Sequence, residues 1–300
     1  MRNPNPNMLL RIAQGDAFCA ATEYLKFPRD QAVKDQALRF QRFGQHPKHL
    51  DLKPGMYSDD TQMSVAVAEV LISGRPFTRE KFADAFVRCF KRDERKGYSG
   101  AFQEFLERVN SGEEFLAKIH PNSDKNGAAM RAVPIGVLPT IEEVLQVAEL
   151  QAKLTHDTPD GILSAQAVAL MSHYALYESE EGEGRLGLYL IDHLPEFPKN
   201  MLLWAGDPVV GPRVGIKTAL AVLHLLITHS PKQNTPLVSI LKQIIEWGGD
   251  TDSVAAIAWG IASTTMTEDV PKFLETQLEP GRKYGVDFLK SLGTSLMASV

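Results

Sequence analysis

The chain has 300 residues, of which 44% are hydrophobic and 23% are charged. This balance is typical of a folded globular protein and excludes a disordered or fibrous chain. The formal net charge is −5 at pH 7, so no bulk positive charge attracts a nucleic-acid backbone. No apolar stretch reaches the roughly 18 residues of a membrane-spanning helix, and the N-terminal apolar run is too short for a secretory signal. We therefore expect a cytoplasmic protein without a membrane partner.

Apolar residues recur at helical spacing along the chain, and no segment shows sustained strand alternation. The first such stripe covers Leu9–Ala21, and the second covers Met63–Leu71, after which Gly74 can end the helix. A capping-box pattern formed by Thr140 and Glu143 predicts the start of another helix. The first half of the chain is thus predicted to be helical.

The second half of the chain is predicted to supply the buried centre. Thr158 followed by Pro159 is typical of a helix start, and the segment Ile162–Tyr177 behind it is apolar on nearly every side. An amphipathic helix over Leu237–Ile245 is expected to end at Gly248-Gly249.

Two polar segments, Phe27–Pro54 and Glu178–Arg185, are predicted to be surface loops. The chain contains no internal repeat, no low-complexity tract and no Pro/Gly-rich linker that would divide it. The pattern predicts an all-α fold in one domain spanning residues 1–300.

Two acidic clusters stand just ahead of apolar helices. They are Tyr57-Ser58-Asp59-Asp60-Thr61 and Gly248-Gly249-Asp250-Thr251-Asp252-Ser253. One such cluster is usually a helix cap, because carboxylates are favoured beside the free N–H groups and the dipole of a helix start. Two clusters ahead of buried helices would bring four carboxylates together, and buried like charges repel unless protons or a cation intervene.

A divalent cation would neutralise such a site. Oxygen ligands from Asp, Ser and Thr side chains suit hard cations such as Mg²⁺, with Mn²⁺ also acceptable. Four carboxylates are more than one Mg²⁺ normally takes, so the pattern indicates two ions. From these residues alone, helix capping remains an open explanation for each cluster.

Several motifs between Gly15 and about Phe273 together resemble the ADP-ribosylglycohydrolase family, which includes the dinitrogenase reductase-activating glycohydrolase. In chain order they are Gly15-Asp16-Ala17 with Glu23, Tyr57–Thr61, Gly97-Tyr98, Asn126–Arg131, Thr155-His156 and Gly249–Ser253. The resemblance covers nearly the whole chain and implies a compact orthogonal helical bundle.

The same resemblance implies a dinuclear metal site that holds Mg²⁺ or Mn²⁺. Its ligands are expected to be Ser58, Asp59, Asp60, Asp250, Asp252 and Ser253. Ser58 and Ser253 stand where the family usually has threonine, and both keep a hydroxyl ligand. Lys125 replaces a common glycine, a change that can alter the ADP-ribose pocket.

Glu23 matches the family's active-site glutamate, and we predict that Glu23, Asp59 and Asp252 are the catalytic residues. The residues predicted to bind substrate are Tyr98, Asn126, Gly127, Arg131 and His156. For His156 a purely structural role is an open alternative, and adenine stacking is not assigned to Tyr98.

The resemblance implies a hydrolase that removes ADP-ribose from a modified protein by cleaving the glycosidic bond at the ribose anomeric carbon. The Asp16–Glu23 stretch is more similar to bacterial arginine-type members, which favours ADP-ribosylarginine over a serine, nucleic-acid base or small-molecule linkage. Two alternatives stay open: a catalytically silent ADP-ribose binder, and an HD-type metal-dependent phosphohydrolase suggested by His156-Asp157 with Asp250. We expect a monomer.

Overall fold

The computed structural model describes residues 3–26, 28–178, 185–198, 204–229, 235–266 and 270–299. This part of the chain consists of helices and the segments that connect them. The helices are α1 Met8–Cys19, α2 Gln31–Ala37, α3 Asp59–Ile72, α4 Arg79–Arg92, α5 Gly100–Arg108, α6 Gly112–Lys118, α7 Gly127–Met130, α8 Ile141–Ala152, α9 Pro159–Tyr177, α10 Leu186–His193, α11 Val214–Thr228, α12 Leu237–Trp247, α13 Thr251–Ala262, α14 Phe273–Thr276 and α15 Val286–Ala298. Short 3₁₀ turns cover Ala20–Thr22 and Val133–Val137. No strand occurs in these ranges, so the all-α prediction is confirmed.

The core is built around α1 and α13, which pack against each other more extensively than any other pair of described elements. Every residue of α13 is buried, and so is every residue of α1 except Arg11. Gly15 makes the close approach possible, because a Cβ atom at this position would lie 2.6 Å from the carbonyl oxygen of Ala255. The contact places the C-terminal half of α1 beside the first turn of α13.

Local signals in the sequence predicted several helix ends correctly. The hydroxyl of Thr140 accepts from the Glu143 N–H at 3.2 Å at the start of α8. Thr158 caps α9 by accepting from the Gly161 N–H at 3.1 Å, with proline in the first turn. Helix α12 ends immediately before Gly248, as predicted.

The prediction of a surface loop over Phe27–Pro54 is wrong in part. Helix α2 lies inside this segment and buries only Ala37, so it leaves no apolar stripe in the sequence. The segment also buries the side chain of His46, which is 2% exposed. Phe27 itself, and residues 179–184 of the second predicted loop, lie outside the described residues.

Among the described helices, none combines the length and the apolar character that crossing a membrane requires.

Candidate active site

The two acidic clusters meet beside the C-terminal end of α1. Asp59, Asp60 and Asp252 stand in the first turns of α3 and α13, and Ser58 and Asp250 are the residues directly before those helices. Carboxylate oxygens of Asp16, Asp60 and Asp252 lie within 4.8 Å of one another. Possible ligand atoms of Glu23, His46 and Asp252 form a second group, and they also lie within 4.8 Å of one another. The fold thus brings together acidic residues that are more than 200 positions apart in the sequence.

Asp16 anchors the start of α3. Its carboxylate accepts from the Ser58 N–H at 2.9 Å, from the Thr61 N–H at 3.1 Å and from the Thr61 hydroxyl at 2.6 Å. Burial raises the pKa of Asp16 to about 6, although these hydrogen bonds act in the opposite direction. The sequence analysis gave Asp16 no role of its own. Its position in the Gly15-Asp16-Ala17 motif was the feature that could have identified it as a site residue.

The first turn of α3 presents Asp60 with one oxygen unpaired. The Ser58 hydroxyl caps the helix by accepting from the Asp60 N–H at 3.3 Å, and it lies 3.2 Å from Asp60 Oδ2. Asp60 Oδ1 is buried and has no hydrogen-bond partner within the described residues. Burial and the charge of Asp59 raise the pKa of Asp60 well above its ordinary value. A buried, unpaired carboxylate oxygen is unfavourable, and a bound cation would satisfy it.

Asp250, at the start of α13, is held through one of its two oxygens. Its Oδ2 accepts from the Tyr24 hydroxyl at 3.0 Å and from Asn126 Nδ2 at 3.2 Å. Burial and the neighbouring charge of Glu23 raise the pKa of Asp250. Sequence reasoning did not select Tyr24, because no local pattern shows that its ring points toward a residue 226 positions away.

The loop between α4 and α5 covers Asp59. Gly97 has φ +125° and lies so close to Asp59 Oδ1 and the Ser58 Cβ that a Cβ atom on Gly97 would overlap both. The next residue, Tyr98, is 3% exposed and donates its hydroxyl proton to Gln62 at 2.6 Å. The structure therefore places Tyr98 against α3, in the wall of the cleft described below.

The donor set fits hard divalent cations. The pKa values of Asp59, Asp60 and Asp252 are raised well above the ordinary range, first by burial and then by neighbouring carboxylates. Asp252 Oδ1 accepts from the Ser253 N–H at 3.0 Å, which fixes it at the helix start. Carboxylates that repel one another in this way can hold a metal ion, and Asp16, Asp60 and Asp252 lie close enough together to do so. The side chains of all six predicted ligands offer oxygen atoms, which hard divalent cations prefer.

His156 has an unpaired ring nitrogen at the cleft. Arg131 Nη2 donates to Thr155 Oγ1 at 2.9 Å, and the same hydroxyl lies 2.7 Å from His156 Nδ1. In the tautomer in which this hydroxyl donates to Nδ1, the imidazole proton lies on Nε2, which is buried without a partner among the described residues. Burial and the charge of Arg131 lower the pKa of His156 to about 3, which keeps the ring neutral.

Arg131 is almost fully buried and forms hydrogen bonds with protein groups. Its guanidinium is 1% exposed, donates to Gln151 Oε1 at 2.6 Å and lies 4.5 Å from the centre of the Phe86 ring. Burial lowers the pKa of Arg131 to about 9. Its described hydrogen bonds are to protein groups, so its clearest influence on the cleft passes through Thr155 to His156.

Most of these groups line one cleft of about 680 Å³, a volume typical of small-molecule sites, but Asp16 and Ser58 are not among its lining residues. Its acidic floor consists of Asp59, Asp60, Asp250 and Asp252. Its basic rim consists of the exposed residues Lys48, Lys118 and Lys125. Phe102 and Phe105 add an aromatic wall. Predicted site residues that line the cleft include Glu23, Tyr98, Asn126, Gly127, Arg131, His156 and Ser253.

The profile of the ADP-ribosylglycohydrolase family matches residues 7–283, and the chain belongs to that family. It is 32% identical over 149 residues to the ADP-ribosylhydrolase ARH3 of Xenopus tropicalis, covering 47% of this chain and 42% of that protein. It is 24% identical over 266 residues to the ADP-ribosylarginine hydrolase Tri1 of Serratia proteamaculans, covering 85% and 69%. The chain thus matches less than half the length of the ARH3 relative.

A solved structure, an ADP-ribosylglycohydrolase-related protein complex, has the same fold. It superposes with a TM-score of 0.71 at 19% identity and covers 98% of this chain and 96% of that one. Family membership replaces the HD-type phosphohydrolase alternative, which rested on His156-Asp157.

Proposed function

We propose that this chain hydrolyses the glycosidic bond between ADP-ribose and a modified protein, releasing ADP-ribose. The observation that carries the proposal is the cleft itself, in which buried carboxylates with raised pKa values form the floor and three lysines form the rim. This separation of charge matches a ligand that carries ribose hydroxyls at one end and a diphosphate further along.

The remaining walls of the cleft complement the other parts of ADP-ribose. Lys118 and Lys125 offer positive charge to the diphosphate, and His156 Nε2 offers a neutral donor. Phe102 and Phe105, whose rings stack at 6.0 Å between centroids, provide an apolar surface suited to a base. Tyr98, Asn126 and Gly127 stay in the proposal as substrate-binding residues.

We propose two divalent cations, Mg²⁺ or Mn²⁺, as cofactors. We propose as their ligands Ser58, Asp59, Asp60, Asp250, Asp252 and Ser253. Carboxylate oxygens of Asp60 and Asp252 lie within 4.8 Å of each other, and all six residues except Ser58 line the cleft. When bound, such ions polarise ribose hydroxyls and lower the pKa of a coordinated water toward neutrality.

The chain's own residues supply the rest of the mechanism. The carboxylates of Asp59 and Asp252 stabilise positive charge that develops on the ribose as the glycosidic bond breaks. The side chain of Glu23 is 16% exposed and has an oxygen within 4.8 Å of an Asp252 oxygen. We propose that Glu23 accepts a proton from the attacking water or orients the substrate. Asp16, Tyr24 and Asn126 hold the acidic residues in place through the hydrogen bonds described above.

Arginine is our proposed acceptor. Tri1 is named an ADP-ribosylarginine hydrolase, and this chain aligns with it over 85% of its own length. The name of the ARH3 relative specifies no linkage, and that of Tri1 specifies arginine. Linkages to serine, to a nucleic-acid base or to a small molecule are therefore tested directly.

The test is a panel of substrates with defined ADP-ribose linkages, scored for released ADP-ribose. We expect release from ADP-ribosylarginine, its loss in Asp252→Ala, and wild-type rates in Asp192→Ala, an exposed carboxylate on α10 outside the cleft. A chelator should abolish release, and Mg²⁺ or Mn²⁺ should restore it. Activity that resists the chelator would refute the metal role. ADP-ribose binding without turnover on any linkage would instead support the silent-binder alternative.

A further inference from the structure

His46 is a buried histidine in the polar segment between α2 and α3. It is 2% exposed, and its Nε2 lies 2.9 Å from Oε2 of Glu23. On the other side of the ring, Nδ1 accepts hydrogen bonds from the backbone N–H groups of Lys48 at 3.0 Å and His49 at 3.1 Å. Nε2 of His46 therefore faces a carboxylate acceptor, and Nδ1 faces two backbone donors.

The hydrogen-bond network assigns the tautomer of His46. Because Nδ1 accepts from two backbone donors, it carries no proton, and the single proton of the ring lies on Nε2. From that position it points to the Glu23 carboxylate, which can only accept when ionised. The loop backbone thus prepares the imidazole as a donor to Glu23.

Glu23 needs such a partner, because its surroundings are acidic. Ligand atoms of Glu23, His46 and Asp252 all lie within 4.8 Å of one another, so the two carboxyl groups face each other and repel when both are ionised. Electrostatic repulsion would turn an unrestrained glutamate toward solvent. A second contact ties the same loop to the site, since Lys48 Nζ lies 4.3 Å from the centre of the Tyr24 ring.

We infer that His46 is a positioning residue, which holds the Glu23 carboxylate over the acidic floor in the orientation that the reaction requires. The inference rests on the proposed function for its kinetic consequence, but the contact itself does not depend on turnover. His46 acts through Glu23 and does not need to touch the substrate.

Two substitutions separate this role from a structural role in the loop. His46→Asn keeps a side-chain oxygen that can accept the Lys48 and His49 N–H groups, as asparagine does in an Asx-turn, but it is too short to reach Glu23. His46→Gln keeps an N–H donor near the position of Nε2 and loses the acceptor near Nδ1. The first variant preserves the loop contact, and the second preserves the contact with Glu23.

We expect His46→Asn to lower kcat about 10- to 100-fold with little change in KM or in the unfolding midpoint, because misplacing a reacting group by about 1 Å can cost a factor of that size. We expect His46→Gln to recover most of kcat even if its unfolding midpoint falls. The inference is overturned if the asparagine variant keeps wild-type kcat. It is equally overturned if the glutamine variant loses as much as the asparagine variant, since the histidine would then support only the loop.

Nitrogen NMR of the histidine rings tests the contact even if the wild type releases no ADP-ribose from any linkage. The His46 signals are identified by their absence in His46→Asn. We expect a protonated Nε2 and an unprotonated Nδ1, and a shift of the Nε2 resonance in Glu23→Gln but not in Asp192→Ala. A ring protonated at Nδ1, or an Nε2 resonance that ignores Glu23→Gln, would refute the inference whatever the enzyme's activity.

Discussion

The Nε2 atom of His156 is buried and has no hydrogen-bond partner among the described residues. An unpaired buried polar group is unfavourable, and a ligand that forms a hydrogen bond with it would satisfy it. The neutral state of the His156 ring is secured because burial and Arg131 lower its pKa to about 3. A ligand-binding role for His156 remains a prediction, which this unpaired nitrogen motivates.

We predict that His156→Ala weakens ADP-ribose binding by about 2- to 12-fold, the equivalent of one net hydrogen bond. Calorimetry of ADP-ribose binding in the presence of Mg²⁺ measures the effect. Thr155→Val is the matched comparison, because it removes the relay to Nδ1 but leaves the imidazole in place, and its effect should be smaller. An unchanged dissociation constant in His156→Ala would show that the ring does not touch the ligand.

Tyr24 is a residue that supports a predicted metal ligand from behind, through its hydroxyl bond to Asp250. Removing such support typically lowers metal affinity 10- to 100-fold, so we predict a loss of about that size for Mn²⁺ in Tyr24→Phe. Calorimetric titration with Mn²⁺ measures it.

Tyr189→Phe is the control for this substitution. The Tyr189 hydroxyl is buried, but it has no hydrogen-bond partner in the described part of the chain. It lies on α10, outside the lining of the cleft. We expect its Mn²⁺ affinity to equal that of the wild type. Equal affinities in both tyrosine variants would contradict the support role of Tyr24.

At the scale of helices, the close approach of α1 and α13 decides where the carboxylates stand. Gly15→Ala would place a methyl group 2.6 Å from the Ala255 carbonyl oxygen, so one helix must move. We predict a loss of about 1–3 kcal/mol in the free energy of unfolding, measured by urea denaturation, together with weaker metal binding.

Gly100→Ala tests whether that loss reflects the helix contact or the glycine itself. Gly100 begins α5, and a Cβ atom there would have no neighbour within 4 Å. Its stability should stay close to that of the wild type or rise slightly, because alanine restricts the unfolded chain. A similar loss in both variants would show that the α1–α13 contact is not the cause.

Helices with local signals could be predicted from the sequence, and contacts between distant residues could not. Caps at Thr140 and Thr158 act within three residues, so the pattern alone locates α8 and α9. By contrast, Asp16 meets Ser58 across 42 positions, and Tyr24 meets Asp250 across 226. Such partners depend on how helices pack. The two acidic clusters were predicted to meet only because both precede apolar helices.

Across the whole molecule, the buried carboxylates link stability to pH. The pKa of Asp16 rises from 3.8 to about 6 on burial. A carboxyl group with a raised pKa holds its proton more tightly in the folded state. The stability it contributes is therefore fully present below about pH 4 and is lost as the pH rises through about 6. Asp60 and Asp252 shift in the same direction, also because of burial.

Metal binding should oppose this loss, because an ion binds the deprotonated carboxylates. We predict that saturating Mg²⁺ raises the unfolding midpoint by about 5–10 °C near pH 7.5 and by much less near pH 5, where protons compete with the ion. Thermal unfolding with and without Mg²⁺ at both pH values measures the difference. The Mg²⁺ effect should vanish in Asp252→Ala. A shift of equal size at both pH values would show that these carboxylates are not the binding site.

The expectations of a single domain over residues 1–300 and of a monomer remain predictions at this scale. Light scattering on the protein eluted from a size-exclusion column measures its mass and so tests the monomer. The same measurement after limited proteolysis tests the single domain. One particle of about 33.2 kDa that resists cleavage between its helices is the expected result.

The hydrogen bond from Tyr24 to Asp250 can form only after both residues have been synthesised. Translation delivers Asp16, Tyr24 and the Asp59–Asp60 pair early, whereas Asp250 and Asp252 emerge only after more than 180 further residues. A nascent chain therefore exposes half of the acidic floor, without the partners that would bury it. Because contacts so distant in the sequence form late, we expect the proposed binding of metal ions to be among the last events of folding, after the two acidic clusters have met.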